Sequence, residues 1–568
     1  MTEPVALADR AARDPVLVGV KAARLAAAAS AELPVLSGLV IPLDASSDAV
    51  ARGRAALEVG SGASGYLAAM ESVVPAHLAE ELLRRAAADG RPLVVRSSTP
   101  LDDDGRWSGA FASYLGVGAS DLTTAVRGCW ASAFSVDALA RCRETGFEVG
   151  SVRIGVLVQP FLAFETGGTA RLRPDGTVAV TAAPGGPAGV VGGRQGFEMI
   201  VGVDGRVAEG SGRAPLRPGT VEAAAALARR AGDAVPAGVI EWGAIGDELF
   251  LLQIGPVPPG ARAFSPPPDE ASMPARLPVA TERLARLVTA FPGPLADELI
   301  LPWALGSGDV PEGDRIDVGD PASALREARA LANGLAADVW RTPPGEAIER
   351  TVAVARSMLA GRVSDACRWI RDLPAPDTTV ARRLVGLLRG VGALLADARI
   401  LPSADLVWRL TVSEIVEAIA GARPSLRHGP GRWEPFVADV VRSRGLHATG
   451  TSVAPGIAAG RPHLLRELRA IGHPGPREVL VTQLPLPHIA PLLWHSAALV
   501  SIGGSSGAHL FEVARSLGVP AVIGVDPAVF GGGAGSLVAV DGESGVVSIL
   551  PPPGTPSSPS RDDARAMV

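Results

Sequence analysis

Lysine occurs once in this chain of 568 residues, at position 21, and the other basic positions are all arginine. Cysteine is almost as scarce. Cys129, Cys142 and Cys367 form no CxxC pair and no Cys/His spacing, which excludes a disulfide scaffold and a standard structural zinc site. The net charge is −6, so the chain lacks the overall positive field that draws proteins to nucleic acid or an anionic membrane surface. Neither partner is expected. No apolar run reaches the ~18 residues of a membrane span, because stretches 385–396 and 489–500 are broken by Arg389 and His495. The N-terminus shows no basic flank, apolar core and cleavage site, so a cytoplasmic location is expected.

What is present fills several cores. Hydrophobic residues make up 47% and charged residues 20%, too apolar for a largely disordered chain and too long for one core. Pro256, Pro258 and Pro259, then Pro266, Pro267 and Pro268, read as a stiff linker over 256–278. A softer break lies at 443–451, and a Pro/Ser-rich tail follows position 550. Before the linker, a helical pattern at 21–31 alternates with strand patterns at 91–96, 154–159 and 248–253. Between the breaks the pattern is helical, at 322–339, 346–359, 380–398 and 412–420. Short strands return at 478–481 and 497–502, with a helix-length segment between them. The pattern predicts an α+β multidomain protein: domains at 1–258, 275–445 and 449–550, and a disordered tail at 551–568.

The last module holds a distinctive junction. The strand AALVSI runs into Gly503-Gly504-Ser505-Ser506-Gly507-Ala508-His509, after which Leu510, Val513, Ala514 and Leu517 repeat at helical spacing. His509 therefore opens a helix, where free backbone N–H groups and the positive dipole end favour a phosphoryl group. A histidine there serves either as a capping or surface residue or as a nucleophile.

The segment GGSSGAHLFEVARSLGVPAVIGV resembles the phosphohistidine signature of the PEP-utilising, dikinase-type phosphotransferase family. Upstream, GTSVAPGIAAG at 450–460 resembles the family's domain-opening segment, and VTQLPLPHIAPLL resembles the stretch between them. The N-terminal third carries further resemblance. Val18-Gly19-Val20-Lys21-Ala22-Ala23-Arg24-Leu25 is similar to the family's glycine–lysine motif, so the single lysine falls on its nucleotide-binding lysine. Val95-Arg96-Ser97-Ser98 and Asp104-Gly105-Arg106-Trp107-Ser108-Gly109 resemble its Arg-Ser-Ser strand and glycine loop. Val156-Leu157-Val158-Gln159 and Ile240-Glu241-Trp242, followed by Leu252-Gln253, also match. The order of modules is similar to that of the rifampin phosphotransferase group. No PEP/pyruvate barrel is expected, because the patterned chain gives way to the tail about 40 residues past His509.

The resemblance implies an ATP-grasp-like N-terminal domain, a helical acceptor domain and a small swivelling α/β phosphohistidine domain. It implies His509 as the catalytic carrier, with Lys21, Arg96, Gly109 and Gln159 at the nucleotide and Glu241 with Gln253 at Mg²⁺. Taken alone, the Glu241/Gln253 pair reads as a surface hairpin turning at Gly246-Asp247, and only the resemblance makes it a metal pair. The implied reaction takes a phosphoryl group from ATP through phosphohistidine to a small hydroxylated metabolite or natural product, releasing AMP and phosphate. The alternatives are a degenerate paralogue serving as a binding or scaffold protein, and a repurposed phosphorylation-driven biosynthetic enzyme. Two departures bear on the choice. Gly255 stands where the family carries a phosphate-facing arginine, and Ala188 where it carries an acidic nucleotide contact. Arg194 and Arg213 are the candidates to compensate. Trp107, Trp130 and Trp242 read as core packing, and His488 and His495 as packing or surface residues. Asp102–Asp104 reads as a solvated loop or as a contributor at the metal.

The lone lysine generates a test. An ammonium is a compact charge with rotatable donors, whereas a guanidinium needs a planar slot and more reach. If Lys21 grips a phosphate, Lys21→Arg weakens ATP binding by ~1–3 kcal/mol, close to the effect of Lys21→Ala. On a solvated helix face the exchange changes binding by less than ~0.5 kcal/mol. Calorimetry of ATP binding to both variants distinguishes the two.

Overall fold

The computed structural model of the protein describes residues 3–86, 90–210, 216–257, 279–291, 293–305, 313–359, 373–401, 403–424, 433–465, 478–532 and 535–552. Most of the proline linker, the tail beyond 552, Cys367 and Arg213 lie outside them. The chain resolves into two compact units. One comprises Met1–Ala261, Gln483–Trp494 and Gly503–Leu517, and the other comprises the remainder. Among the described residues no helix is long and apolar enough to cross a membrane.

Side-chain alternation along single strands organises the first unit. In β3 (Leu93–Ser98), Leu93 and Val95 are buried, while Val94 and Arg96 are half-buried on the opposite face. The strand belongs to an antiparallel sheet with β1 (Val5–Ala6), β2 (Leu39–Ile41), β4 (Ser113–Val117) and β5 (Gly155–Pro160), ordered β1-β2-β5-β3-β4. Ile41, Val95, Val156 and Val158 pack with Trp107, Trp130 and Phe134 behind it.

A second antiparallel sheet contains β6 (Thr166–Leu172), β7 (Val178–Pro184), β8 (Phe197–Val201), β9 (Val207–Gly210), β10 (Val239–Ile245) and β11 (Glu248–Gly255). Its order is β11-β10-β6-β7-β8-β9. Ala170, Val180, Ala182, Ile240 and Trp242 meet Ala224, Leu227, Ala228 and Ala231 of the Thr220–Ala234 helix in one apolar cluster. The intervening residues Thr169, Arg171, Thr181, Val239 and Glu241 form the other, largely polar face. Gly246-Asp247 closes the β10–β11 hairpin, with Gly246 at φ 60° in the first central position, where a two-residue turn of this kind wants glycine.

The Val20–Ser30 helix begins at a constrained point. Gly19 has φ 80°, and a Cβ there would meet the carbonyl carbon, carbonyl oxygen and Oγ of Ser98 at 2.5 Å. Val20 N–H donates to the Thr99 carbonyl and Ala22 N–H to Ser98 Oγ. Close approach of helix to strand therefore fixes Lys21 in the first helical turn.

The second unit is helical and then mixed. The Pro321–Trp340 and Thr378–Asp397 helices are capped by Asp320 and Asp377, whose side chains accept two backbone N–H groups each. Thr411 and Glu414 form a capping box for the Val412–Ile419 helix. Helices pack around Trp303, Trp340, Trp408 and Leu388. A four-stranded antiparallel sheet follows, with β12 (Leu446–Thr449), β14 (Ile457–Gly460), β19 (Leu537–Asp541) and β20 (Val546–Leu550). A five-stranded sheet holds β13 (Thr451–Ala454) beside β15 (Pro462–Leu464), β16 (Val479–Thr482), β17 (Ala498–Ser501) and β18 (Ala521–Ile523). Strands β15, β16, β17 and β18 pair parallel in that order, and β13 pairs antiparallel with β18 at the sheet edge.

Two points differ from the sequence expectation. The helix-length segment between β16 and β17 is a 3₁₀ stretch, Pro487–Trp494, with Pro491 inside it. A proline there removes the N–H and crowds the preceding carbonyl that an α-helix would use. In addition, both crossover segments of the expected 449–550 domain are grouped with the first unit, while β17 and β18 fall in the second.

Gly19→Ala is expected to destabilise the first unit by more than ~2 kcal/mol, because strain at positive φ adds to overlap with Ser98. Gly219 has nearly the same φ, 81°, but nothing lies within 4 Å of its missing Cβ. Gly219→Ala therefore costs only the ~1 kcal/mol of backbone strain, and denaturant unfolding of both variants checks the difference.

Candidate active site

The two sheets of the first unit present their polar faces to one cavity of about 560 Å³, within the usual ~300–1,000 Å³ of small-molecule sites. Lys21, Arg96, Glu241, Gln253, His509 and Glu512 line one part. Leu36, Phe111, Leu115, Phe161, Leu162 and Phe164 line another. Gly109 and Gln159 also lie on its wall. Every residue the sequence singled out for the carrier, nucleotide and metal roles thus reaches the same space.

Each cation there already has a carboxylate. Lys21 Nζ lies 2.9 Å from Asp102 Oδ1, while Asp102 Oδ2 accepts the Thr99 N–H and ties the carboxylate to the end of β3. Asp102 is therefore a partner of the lysine rather than part of a solvated loop. Arg96 Nη2 donates to Glu241 Oε2 at 3.1 Å, and Nη1 donates to the Leu252 carbonyl. Gln159 is buried and donates from Nε2 to the Leu36 carbonyl at 2.8 Å.

Glu241 and Gln253 are register partners on β10 and β11, so their side chains share a face. Among the described residues no three His, Cys, Asp or Glu side chains converge as a metal site. A divalent cation at this pair would take two protein oxygens, with its other positions left for phosphate and water. That sparse donor set fits Mg²⁺.

His509 is the first residue of the His509–Leu517 helix. Its loop is seated by glycines. A Cβ on Gly507 would meet Thr169 Oγ1 at 2.5 Å and Val190 Cγ1 at 2.6 Å, and one on Gly105 would overlap Ser516 Oγ. Ser506 Oγ lies 3.0 Å from Thr181 Oγ1. His509 Nδ1 is 2.9 Å from Ser108 Oγ, and Ser108 Oγ donates to Glu512 Oε2 at 2.6 Å. Since the hydroxyl's single proton goes to the carboxylate, Oγ accepts the Nδ1–H of the imidazole. Nε2 is left facing Glu241 Oε1, 3.7 Å away. The network assigns the tautomer that leaves Nε2 as the nucleophilic nitrogen.

Charge sets the protonation of this pair. Burial alone would lower the His509 pKa, but the hydrogen bond and charge of Glu512, with the charge of Glu241, outweigh it and hold the imidazole above its ordinary value. Glu512 experiences the reverse. Burial pushes it up, yet His509, Arg515 and Ser108 bring it down to about 2. Behind Ser108, the fully buried Arg141 donates from Nη1 to the Ser108 carbonyl at 2.9 Å. Burial lowers this guanidinium to about 10, against the nearby Asp137 carboxylate.

Several readings are settled by placement. Trp107 stacks on Phe111 at 5.7 Å, and Trp130 and Trp242 are fully buried in the two cores. His488 is exposed and His495 buried. Gly186, Pro187 and Ala188 line the cavity, whereas Arg194 is exposed and forms no part of its wall. Arg194 therefore does not compensate for the arginine absent at 255. Gly255 itself is boxed in, since a Cβ there would meet Val239 Cγ1 at 2.6 Å. Sequence reasoning missed Glu512 and Arg141, and it read Ser108 only as part of the glycine loop. An acid three residues after a helix-opening histidine was a readable signal for Glu512, but nothing local pointed to Arg141.

Comparison with known proteins finds family matches for two segments of the chain. Residues 16–204 match the family described as pyruvate phosphate dikinase, AMP/ATP-binding domain, and residues 474–545 match the family described as PEP-utilising enzyme, mobile domain. A probable phosphoenolpyruvate synthase of Archaeoglobus fulgidus is 31% identical over 145 residues, covering 25% of this chain and 19% of the relative. Chondramide synthase cmdD of Chondromyces crocatus is 40% identical over 101 residues, covering 18% and 3%. An uncharacterized phosphotransferase, YvkC, of Bacillus subtilis is 29% identical over 104 residues, covering 18% and 12%. The chain spans 19% or less of the length of these relatives.

The electrostatics predict a titration. His509 should titrate above ~6.5, the ordinary value for the side chain, as followed by NMR of the imidazole. Its ion pairing stabilises the docked helix fully below that ordinary value, and the contribution is lost as pH rises through the raised one. Glu512→Gln removes the largest favourable partner and should move the titration to lower pH.

Proposed function

We propose, for a chain whose segments 16–204 and 474–545 belong to the dikinase AMP/ATP-binding and PEP-utilising mobile-domain families, an ATP-dependent phosphotransferase working through phosphohistidine. The observation that carries this reading is the tautomer network. His509 Nδ1 is held by Ser108 and Glu512, and Nε2 faces the cavity wall that also bears Lys21, Arg96 and Gln253.

In this reading the first unit is an ATP-grasp-like domain. The apolar part of the cavity takes the nucleotide base, and Lys21 and Arg96 take the phosphates. The lone pair of His509 Nε2 attacks the middle phosphorus of ATP. The Nε2–P bond forms as the bond from that phosphorus to the oxygen retained by AMP breaks. Water then releases the outer phosphoryl group as phosphate, leaving phosphohistidine. Mg²⁺ bound at Glu241 and Gln253 supplies neutralisation of the phosphate charge. Glu512 and Ser108 keep Nδ1 protonated and the ring oriented, which fixes the attacking nitrogen. The segment then swings so that an acceptor hydroxyl takes the phosphoryl group, its proton passing to solvent as the N–P bond breaks. Support for the swing is that the flanking strands β17 and β18 belong to the other compact unit. The acceptor is a small hydroxylated metabolite or natural product handled by the helical domain, in keeping with the module order.

A second reading, a binding or scaffold protein without ATP turnover, is favoured by Gly255 and Ala188 and by the internal pairing of Lys21 with Asp102 and Arg96 with Glu241. Incubation with labelled ATP and Mg²⁺ separates the two. The phosphotransferase yields AMP and an acid-labile phosphoryl group on wild type, with none on His509→Ala. Nucleotide binding without AMP formation would establish the scaffold instead.

A further inference from the structure

Glu512 and His509 ride on one helix. They stand three positions apart in the His509–Leu517 helix, so their side chains are neighbours on its surface. Glu512 Oε2 lies 3.5 Å from His509 Nδ1, and only 14% and 16% of the two side chains are exposed. Leu510, Phe511, Val513 and Ala514 around them are buried. A carboxylate so shielded from water is costly unless cations and donors face it. Those facing it are His509 and Arg515 of its own helix and Ser108 of the glycine loop. The imidazole is faced in turn by Glu512, by Glu241 on β10 and by Lys21 on the Val20–Ser30 helix.

The two partners of Nδ1 differ in how they are tethered. Ser108 lies 401 positions from His509 in the chain and belongs to another loop. In the proposed cycle it stays behind when the carrier segment moves, whereas Glu512 travels with the histidine. Departure from Ser108 also takes away the hydroxyl that Glu512 Oε2 accepts at 2.6 Å. That oxygen then has Nδ1–H as its neighbour on the same helix.

The proton on Nδ1 decides how readily a phosphoryl group leaves Nε2. With the proton in place the departing group is neutral imidazole. Without it the departing group is imidazolate, a far stronger base and a poor leaving group. A carboxylate held at one ring nitrogen keeps the proton there and stabilises the cationic ring.

We propose that Glu512 is a positioning residue for the second transfer, holding the proton on Nδ1 of phosphohistidine after the carrier has left Ser108. This role rests on the reading of His509 as the phosphoryl carrier. As the acceptor O–P bond forms, the Nε2–P bond breaks and its electron pair stays on Nε2. Nδ1 keeps its proton throughout, and the acceptor's proton passes to solvent.

The experiment loads the full chain with phosphoramidate, a small phosphoryl donor that bypasses the nucleotide. Loss of the phosphoryl group to water is then followed from acid to alkaline pH, with His509→Ala giving the background from other histidines. Wild type should decay at a steady rate on the acid side and slow as pH rises through the titration of the phosphorylated ring. Glu512→Gln keeps the shape and removes the charge, so its slowing should begin at lower pH. Between the two breaks the variant should decay ~10–100-fold more slowly, the loss of one charge-assisted hydrogen bond. In urea the two should decay alike. A merely structural glutamate would change folding or label yield without moving the break. Should the variant not fold, wild type alone decides, since nitrogen NMR must show its phosphorylated ring titrating at higher pH folded than in urea. Coincident pH profiles for wild type and Glu512→Gln overturn the proposal, as does an equal titration folded and unfolded. The expected shift in protein that phosphoramidate loads and ATP does not would uphold the proposal and overturn the nucleotide reading. Wild type taking no label at His509 from either donor overturns both.

Discussion

The Glu241 carboxylate is the point on which the first unit turns. One oxygen accepts from Arg96 of the five-stranded sheet, and the other faces Nε2 of His509. Glu241 itself is buried on the six-stranded sheet. A buried carboxylate is tolerable only while cations and donors surround it. The same residue therefore couples two sheets and the carrier helix. Any divalent cation or phosphate entering the cavity must enter this balance, because it changes the partners of a carboxylate that already has two.

That coupling shapes the chemistry available. A histidine between Glu512 and Glu241 is drawn toward its cationic form, which is a poor nucleophile. In the proposed reaction, a cation held by Glu241 would cancel the charge of one of the two carboxylates and so favour the neutral imidazole. The opposite end of the ring is held by Ser108, whose carbonyl is in turn held by the buried Arg141. The imidazole is thus oriented by a chain of contacts from the glycine loop rather than by its own helix alone. Glycines at 105 and 507 permit that docking, because at each a side chain would overlap a neighbour.

Much of the fold was legible in sequence. The helix carrying Lys21, the strand carrying Arg96 and the hairpin joining Glu241 to Gln253 were readable from apolar periodicity and a Gly-Asp turn, since these are local properties of the backbone. The same periodicity misled at Pro487–Trp494, where an apolar run of helical length contains Pro491 and folds as 3₁₀. Arg194 was a plausible compensating charge by position in the chain, and it is exposed instead. Position along a chain does not report which strand lies beside which.

The sequence by itself determined which residue types were available, that His509 begins a helix, and that Glu241 and Gln253 share one face of a hairpin. Tertiary structure alone decided the partners. Ser108 and His509 are 401 positions apart, Arg96 and Glu241 145, and Lys21 meets Asp102 across the helix–strand junction at Gly19. Periodicity encodes the face on which a side chain lies. The charges it meets there depend on how sheets and loops close around a common cavity, and no local pattern carries that information.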